Sequence, residues 1–242
     1  MQEKASVVGM DKFCKNSFDA FFQKIPFLWL KKLLDRNNID LNEKSVLIAG
    51  CGIGRDIYHL QDFYKFDRLY ASDISIDSLK STISSFPLAK GVIVDNQRLG
   101  LETDSVDYVF VGTSLHHLKE PLRGLYELLR VAKKGLIVME PNDTWLTRLF
   151  EKLGLAQEYE IEHKNYVYRF RKREVAKISN ALFFKYDLCR FFATHRAPTT
   201  KIEFCALKII HRLSNLFFPS FGNHIVFIIK KEKLLPRCLQ AK

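Results

Sequence analysis

The sequence predicts an α/β protein with a mostly parallel sheet and helices on both faces. Short apolar runs rich in branched residues alternate with segments of helical period, starting at Ser45. Glycines follow the first apolar run, and acidic residues close the second and third. Such alternation of strand and helix favours parallel pairing with right-handed crossovers.

The first predicted strand, around residues 46–48, has the composition of a strand buried on both faces. Gly50, Gly52 and Gly54 follow it and lead into a helical segment. Alternate glycines let the backbone turn sharply and approach a ligand closely. The turn therefore predicts a loop for a dinucleotide or adenosyl cofactor, although similar glycines also mark ordinary strand-to-helix turns.

Acidic residues end the next two predicted strands. Asp73 closes the run 68–73, where a carboxylate can accept hydrogen bonds from both ribose hydroxyls. Asp95 closes the run 91–95, and a fourth strand is predicted over 105–112. Ligands of open parallel sheets bind outside the carboxyl ends of the strands, so these acids predict a binding edge.

Predicted helices fill the intervals between these strands. Ser75 is placed to cap a helix whose apolar residues share one face. Pro121 opens another helix, which runs toward Gly135 and a fifth strand over 135–139.

Five motifs in this order resemble the signature of class I S-adenosylmethionine-dependent methyltransferases, with a type 11-like methyltransferase domain. They are Ala-Gly-Cys-Gly-Ile-Gly from residue 49, Tyr-Ala-Ser-Asp-Ile-Ser from 70, Val-Asp-Asn-Gln-Arg-Leu-Gly from 94, Ser-Leu-His-His-Leu from 114 and Val-Met-Glu-Pro-Asn from 138. The segment 222–230 is similar to the family's closing antiparallel strand. The resemblance implies a Rossmann-like, seven-stranded, mostly parallel sheet with its last strand antiparallel.

The same resemblance implies S-adenosyl-L-methionine as cofactor and assigns the residues that bind it. The methionine part falls to Gly50, Cys51, Gly52 and Thr113, the ribose and adenine to Asp73 and Ile74, and the adenine amino group to Asp95 with Asn96 beside it. Ala49 departs from the family, which often has an acid there that helps to hold the methionine amino group. That group therefore needs another partner in this chain.

His116 and His117 are the candidate catalytic residues, because they follow the fourth strand at the edge where the donor methyl is expected. Either could act as a general base toward a hydroxyl or ammonium acceptor, or could brace the loop. Glu140, after the fifth strand, is a candidate acceptor contact, with a structural hydrogen bond to the loop as its alternative.

The sequence predicts a helical lead-in over 1–44, which either packs on the sheet or covers the cofactor site. The methyltransferase domain is predicted over 45–242, and it includes a basic, acceptor-facing region over 143–221. The segment 164–212 contains twelve Lys or Arg and three acids. This surplus of positive charge either attracts anionic partners or forms a solvated basic face without a partner. Tyr166, Tyr168 and Arg169 are the candidate acceptor-binding residues of this region.

The favoured acceptor is an O or N atom of a small-molecule metabolite or glycan precursor. A lipid or lipid-linked acceptor at the membrane surface is the first alternative, because the amphipathic helix predicted over 202–216 ends in the phenylalanine-rich stretch 217–221. Core packing is the preferred use of that helix's apolar stripe. An RNA-modifying or RNA-binding protein is less favoured than either acceptor, because the sequence contains no recognised RNA-binding module.

Composition limits the other classes of function. The five cysteines form no Cys-x-x-Cys pair, so the sequence predicts neither a metal site nor a disulfide framework. No apolar run reaches the roughly 18 residues of a membrane span, and the first residues lack the apolar core of a signal peptide. The sequence therefore predicts a reduced, cytoplasmic protein.

Overall fold

The computed structural model describes residues 16–154, 158–160, 165–194 and 198–233 of the 242-residue chain. Nine strands occur in these ranges: β1 Ser45–Ala49, β2 Arg68–Asp73, β3 Ala89–Ile93, β4 Val106–Gly112, β5 Ala132–Pro141, β6 Tyr159–Glu160, β7 Asn165–Tyr166, β8 Phe184–Phe191 and β9 His224–Lys233. Seven of them form one sheet in the order β3-β2-β1-β4-β5-β9-β8, and β6 pairs with β7 in a separate hairpin.

The sheet confirms the predicted fold class. Strands β1 to β5 pair in parallel, whereas β9 lies antiparallel to both β5 and β8. Because β1 lies between β2 and β4, the carboxyl ends of the central strands meet at one edge. This is the Rossmann-like arrangement with an antiparallel last strand, and its central edge is where ligands of open α/β sheets bind.

Helices cover both faces of the sheet. The helices of the described ranges are α1 Ser17–Arg36, α2 Arg55–Leu60, α3 Ile76–Ser85, α4 Pro121–Val131, α5 Trp145–Lys152, α6 Lys172–Ala181 and α7 Lys201–Phe217. Of these, α1, α2 and α3 pack in one core cluster, and α4 and α6 pack in the other. In β1, Val46 and Ile48 pack in one core cluster, while Leu47 and Ala49 pack in the other. The strand is therefore buried on both faces, as its unbroken apolar composition predicts.

Local signals place the helix starts correctly. The Ser75 hydroxyl accepts a hydrogen bond from the Ser78 amide at 3.2 Å, and Pro121 is the first residue of α4. Helix α1 buries Phe22, Phe27 and other apolar residues in one core cluster or beside it, so the lead-in does pack on the sheet.

Helix α7 forms where it is predicted, but the expected use of its apolar stripe in core packing is wrong. None of its residues is buried, and Ile202 is 84% exposed. Phe204 is an anchor, because its ring contacts Phe18, Phe21 and Phe22 at centroid distances of 4.7–5.8 Å. The helix therefore lies outside the two core clusters, neither of which includes any of its residues.

None of the helices in the described ranges is long and apolar enough to cross a bilayer. Cys51, Cys189 and Cys205 are free thiols, while Cys14 and Cys238 lie outside the described residues.

Candidate active site

The glycine loop adopts the backbone conformation that its sequence predicts. Gly50, Gly52 and Gly54 all have positive φ, at 65°, 53° and 95°. A Cβ atom on Gly50 would lie 2.4 Å from the Ser114 hydroxyl, so the loop packs tightly against the turn after β4. A Cβ on Gly52 would meet nothing within 4 Å, which leaves space for a ligand against the loop backbone.

Asp73 connects this loop to the end of β2. Its Oδ2 accepts a hydrogen bond from the Gly52 amide at 2.8 Å, and its Oδ1 accepts one from the Ser75 amide at 2.8 Å. Ile74, the next residue, is 72% exposed. A carboxylate with lone pairs remaining beside an exposed apolar side chain suits a ribose and the flat face of an adenine.

Three further predicted cofactor residues border the loop. Asn96 is buried, its Nδ2 lies 3.4 Å from the Cβ position of Gly50, and its Oδ1 has no hydrogen-bond partner among the described residues. Asp95 accepts a hydrogen bond from the Gln97 amide at 2.8 Å. Thr113 has a φ of 49° and accepts a hydrogen bond from Arg55 at 3.0 Å.

A cavity of about 640 Å³ lies beside Thr113. Its polar wall contains Arg55, Thr113, His116, His117, Glu160 and Arg169. Its apolar wall contains Leu146, Phe150, Phe192 and Phe221. The cavity therefore lies at the carboxyl edge of the sheet, beside the ends of β4 and β5 and the start of β9.

Glu140 organises the histidine turn from a fully buried position. Its Oε1 accepts hydrogen bonds from the Ser114 and Leu115 amides at 2.8 and 2.7 Å. Its Oε2 lies 2.5 Å from Nδ1 of His116. Burial alone would lower the pKa of His116, but the hydrogen bond and charge of Glu140 outweigh it and raise that pKa.

Glu160, on β6, lies over the two histidines. Its Oε2 is 2.8 Å from Nδ1 of His117, and its Oε1 is 3.7 Å from Nε2 of His116. The hairpin that carries Glu160 is tied to the same turn, because the Asn165 side chain donates a hydrogen bond to the His116 carbonyl at 2.9 Å.

The residues predicted to bind the acceptor fall in different places. Arg169 lines the cavity and pairs with Glu151 at 2.5 Å. Glu140 is enclosed by its hydrogen bonds and is not part of the cavity wall, which assigns it to the loop rather than to a ligand. Tyr166 is exposed and packs edge-on against Tyr159.

Tyr168, the remaining predicted acceptor residue, donates its hydroxyl hydrogen bond to Glu174 and is also absent from the cavity wall. Its ring packs against Phe170, a buried residue of the core. The structure therefore gives Tyr168 a packing role, whereas Arg169 faces the cavity.

Arg55 and Glu160 line the cavity but were not predicted as site residues from the sequence. Arg55 directly follows the glycine loop, and this adjacency could have identified it. Glu160 gave no comparable signal, because nothing local in the sequence connects it to the histidines.

Asp56, in the first turn of α2, lies against the end of β4 and was not predicted from the sequence. It is buried, and its Oδ2 would lie 2.4 Å from a Cβ on Gly112. Burial raises the pKa of its carboxyl to about 6, although Arg55, whose Nε lies 3.7 Å from Oδ1, opposes the shift.

The first turns of α1 border a second cavity, of about 160 Å³. Asp19, Phe22 and Gln23 face Arg55 and Thr113 across it. Helix α1 thus contributes to the sheet packing and also borders the site, so both uses of the lead-in remain compatible with its position.

Comparison with known proteins agrees with this geometry. Residues 47–139 match the family described as the methyltransferase domain. A search of curated protein sequences found no match. Many solved structures share the fold, but those compared below are under 25% identical and establish the fold alone.

Two of these structures are methyltransferases. A S-adenosylmethionine-dependent methyltransferase of Thermotoga maritima is 18% identical with a TM-score of 0.56, over 90% of this chain and 96% of its own. The magnesium protoporphyrin IX methyltransferase of Synechocystis PCC 6803, with bound S-adenosylhomocysteine, is 17% identical with a TM-score of 0.58. The match covers 89% of this chain and 88% of that one.

A third structure, the [4+2]-cyclase SpnF, is 13% identical with a TM-score of 0.56, over 90% of this chain and 86% of its own. A fold shared with a cyclase does not by itself fix the reaction. The acceptor is determined by the residues that line the cavity.

Proposed function

We propose that this chain, a class I S-adenosylmethionine-dependent methyltransferase, methylates an O or N atom of a small-molecule metabolite or glycan precursor. The observation that supports the proposal is the cavity of about 640 Å³, whose wall includes His116, His117 and Thr113. A pocket of this volume suits a small molecule rather than a folded macromolecule.

The residues at the sheet edge fit the cofactor. The open space against Gly52, the carboxylate of Asp73 and the unpartnered Oδ1 of buried Asn96 offer separate contacts for an amino acid, a ribose and a base. Asp95 remains the proposed partner of the adenine amino group. When bound, the cofactor supplies a methyl group already activated on a sulfonium.

The protein then has to align the acceptor and exclude water. Alignment alone contributes about 7–11 kcal/mol in favourable cases. An acceptor held in the cavity would direct its lone pair at that methyl group, and the proton that it loses would leave through the polar wall of the cavity. His116 and His117 are the proposed contacts of the reacting atom.

Arg55 and Arg169 place two guanidinium groups in this wall, and Glu160 adds a carboxylate, so the group available to an anionic acceptor is the partly exposed Arg55. Arg169 is largely buried and pairs with Glu151, while Arg55 is partly exposed and contacts Thr113. Phosphorylated sugars, phenols and amines bearing a carboxylate are therefore the first compounds to screen, with a labelled donor and detection of methyl transfer.

A cavity-filling variant tests the location of the acceptor. Leu146→Trp places a larger side chain in the cavity wall, whereas Leu149→Trp changes an exposed position on the same helix outside that wall. We expect Leu146→Trp to abolish turnover while S-adenosylhomocysteine still binds, and Leu149→Trp to leave both unchanged. Full turnover by Leu146→Trp, or no methylation of any small acceptor, contradicts the proposal.

An exposed apolar surface favours a lipid-linked acceptor as the second candidate. Phe221 of the cavity wall packs edge-on against exposed Trp145, and exposed Phe217 and Phe218 precede it in the chain. Replacing both exposed phenylalanines by serine should then reduce binding to anionic vesicles, with Leu88→Ser as an exposed control elsewhere. Unchanged binding dismisses this candidate.

A further inference from the structure

Three side chains in the cavity wall present metal-ligating atoms to one point. One nitrogen each from His116 and His117 and one carboxylate oxygen of Glu160 all lie within 4.8 Å of one another. Two imidazoles and one carboxylate are the donor set of many catalytic metal centres, which keep further positions open for water or substrate.

Glu160 has a polar atom that its protein contacts leave unsatisfied. Its Oε2 is buried and has no hydrogen-bond partner among the described residues, although Nδ1 of His117 lies 2.8 Å away. The two atoms are close, but their arrangement does not meet the geometry of a hydrogen bond. A cation between the carboxylate and the imidazoles would satisfy this oxygen.

Glu140 supplies the outer contact that metal-binding histidines commonly have. It is fully buried, is fixed by two backbone amides and holds Nδ1 of His116 at 2.5 Å. This leaves Nε2 of His116 as the nitrogen on the side of Glu160. A carboxylate that fixes the orientation and tautomer of an imidazole is the usual support of a histidine ligand.

The backbone fixes the distance between the two halves of the cluster. Glu160 pairs with Asn165 in the hairpin, and the Asn165 side chain is bonded to the carbonyl of His116. Glu160 is therefore held over the histidine turn by a connection independent of its own carboxylate. Such support from outside the cluster is what a preorganised ligand set requires.

We propose that Nε2 of His116, Nδ1 of His117 and the carboxylate of Glu160 bind one divalent transition-metal ion, with Zn²⁺ as the reference ion. Its open positions would face the cavity and take an oxygen, nitrogen or sulfur atom of the acceptor. The ion site stands on these contacts alone, whereas its role toward the acceptor rests on the proposed function. The sequence predicted no metal site, because its cysteines lack ligand spacing and Glu160 lies far along the chain from His117.

Metal binding by the full chain tests the site directly. The protein is stripped with a chelator, dialysed and titrated with Zn²⁺ by calorimetry, and with Co²⁺ by visible absorption. We expect one ion per chain, and an affinity about 100-fold or more weaker in Glu160→Gln and in His117→Ala. Glu140→Gln should weaken it about 10- to 100-fold, as loss of an outer contact does.

Glu158→Gln is the matched control, because it removes the same charge from an exposed position just before β6. It should bind the ion as the wild type does. The S-adenosylhomocysteine affinity of every variant should stay unchanged, which shows that the variants are folded. Absence of stoichiometric binding by the wild type, or equal binding by folded Glu160→Gln, overturns the proposal.

A second measurement separates the ion from the proposed function. With an acceptor identified, removal of the ion should lower methyl transfer about 100-fold or more, and Zn²⁺ should restore it. Full transfer by the stripped protein refutes the ion's role while leaving the methyltransferase proposal intact. Stoichiometric binding by a protein that methylates no small acceptor refutes the proposed function and leaves the ion site standing.

Discussion

Asp56→Asn should stabilise the protein at neutral pH. The Asp56 carboxyl is buried, its Oδ1 has no hydrogen-bond partner among the described residues, and the Arg55 guanidinium lies only at ion-pair distance. Burial therefore dominates and raises its pKa from 3.8 to about 6. Asparagine removes the charge at nearly the same size, so the fold no longer has to bury an ion.

The magnitude follows from the difference between the folded and unfolded pKa values. A shift of one unit corresponds to about 1.4 kcal/mol, so a shift of about two units corresponds to about 3 kcal/mol. The folded protein binds the Asp56 proton more tightly than the unfolded chain does. The protonated carboxyl therefore stabilises the fold fully below pH 3.8, and this stabilisation is lost as the pH rises through 6. The variant's advantage should therefore be near 3 kcal/mol at about pH 7 and absent below about pH 4.

Urea denaturation of the wild type and of Asp56→Asn from pH 4 to pH 7 measures this difference. Asp77→Asn is the control, because Asp77 is an exposed acid in the first turn of α3. Its free energy of unfolding should follow that of the wild type within about 0.5 kcal/mol across the range. A stability difference for Asp56→Asn that does not change with pH, or a less stable variant at pH 7, refutes the reasoning.

Three other substitutions test the loop, the sheet and the cofactor contact. Gly50→Ala should cost at least about 1–2 kcal/mol in thermal denaturation, because its φ is 65° and the added Cβ would lie 2.4 Å from Ser114; an unchanged melting temperature contradicts this. The pKa of Asp107 is lowered to about 2, since hydrogen bonds from Lys134 and Ser45 outweigh partial burial. The stabilisation by this carboxylate is present above pH 3.8 and is lost as the pH falls through 2. Because solvent screens part of the pairing with Lys134, Asp107→Asn should cost about 1 kcal/mol at pH 7 and little at pH 2 in urea denaturation; an equal cost at both pH values counts against it. Asp73→Ala should weaken S-adenosylhomocysteine binding about 10- to 100-fold in calorimetry, as loss of charged hydrogen bonds does; equal affinity removes Asp73 from the cofactor site.

The sheet and the cofactor edge could be predicted because their signals are local. The glycines after β1 and the acids at the ends of β2 and β3 lie within short stretches of sequence, and their chemistry depends on backbone conformation at those positions. Some strand boundaries differ by a few residues, as in β3, which is predicted over 91–95 and found at Ala89–Ile93.

The acceptor side depends on contacts between distant parts of the chain. Glu160 reaches the histidines only because the hairpin β6–β7 is bonded to the turn after β4, and no periodicity reports such a contact. Tyr168 and Arg169 are neighbours in sequence, yet only Arg169 lines the cavity. The apolar stripe of α7 indicated a buried face, but amphipathicity does not specify what a helix packs against.

A crystal structure with S-adenosylhomocysteine would locate the cofactor relative to the cavity. We expect its homocysteine part along Gly50–Gly52, its ribose at Asp73 and its sulfur at the end of β4, open to the cavity that contains His116 and His117. A ligand whose sulfur faces away from this cavity, or that binds elsewhere on the sheet, would contradict this placement.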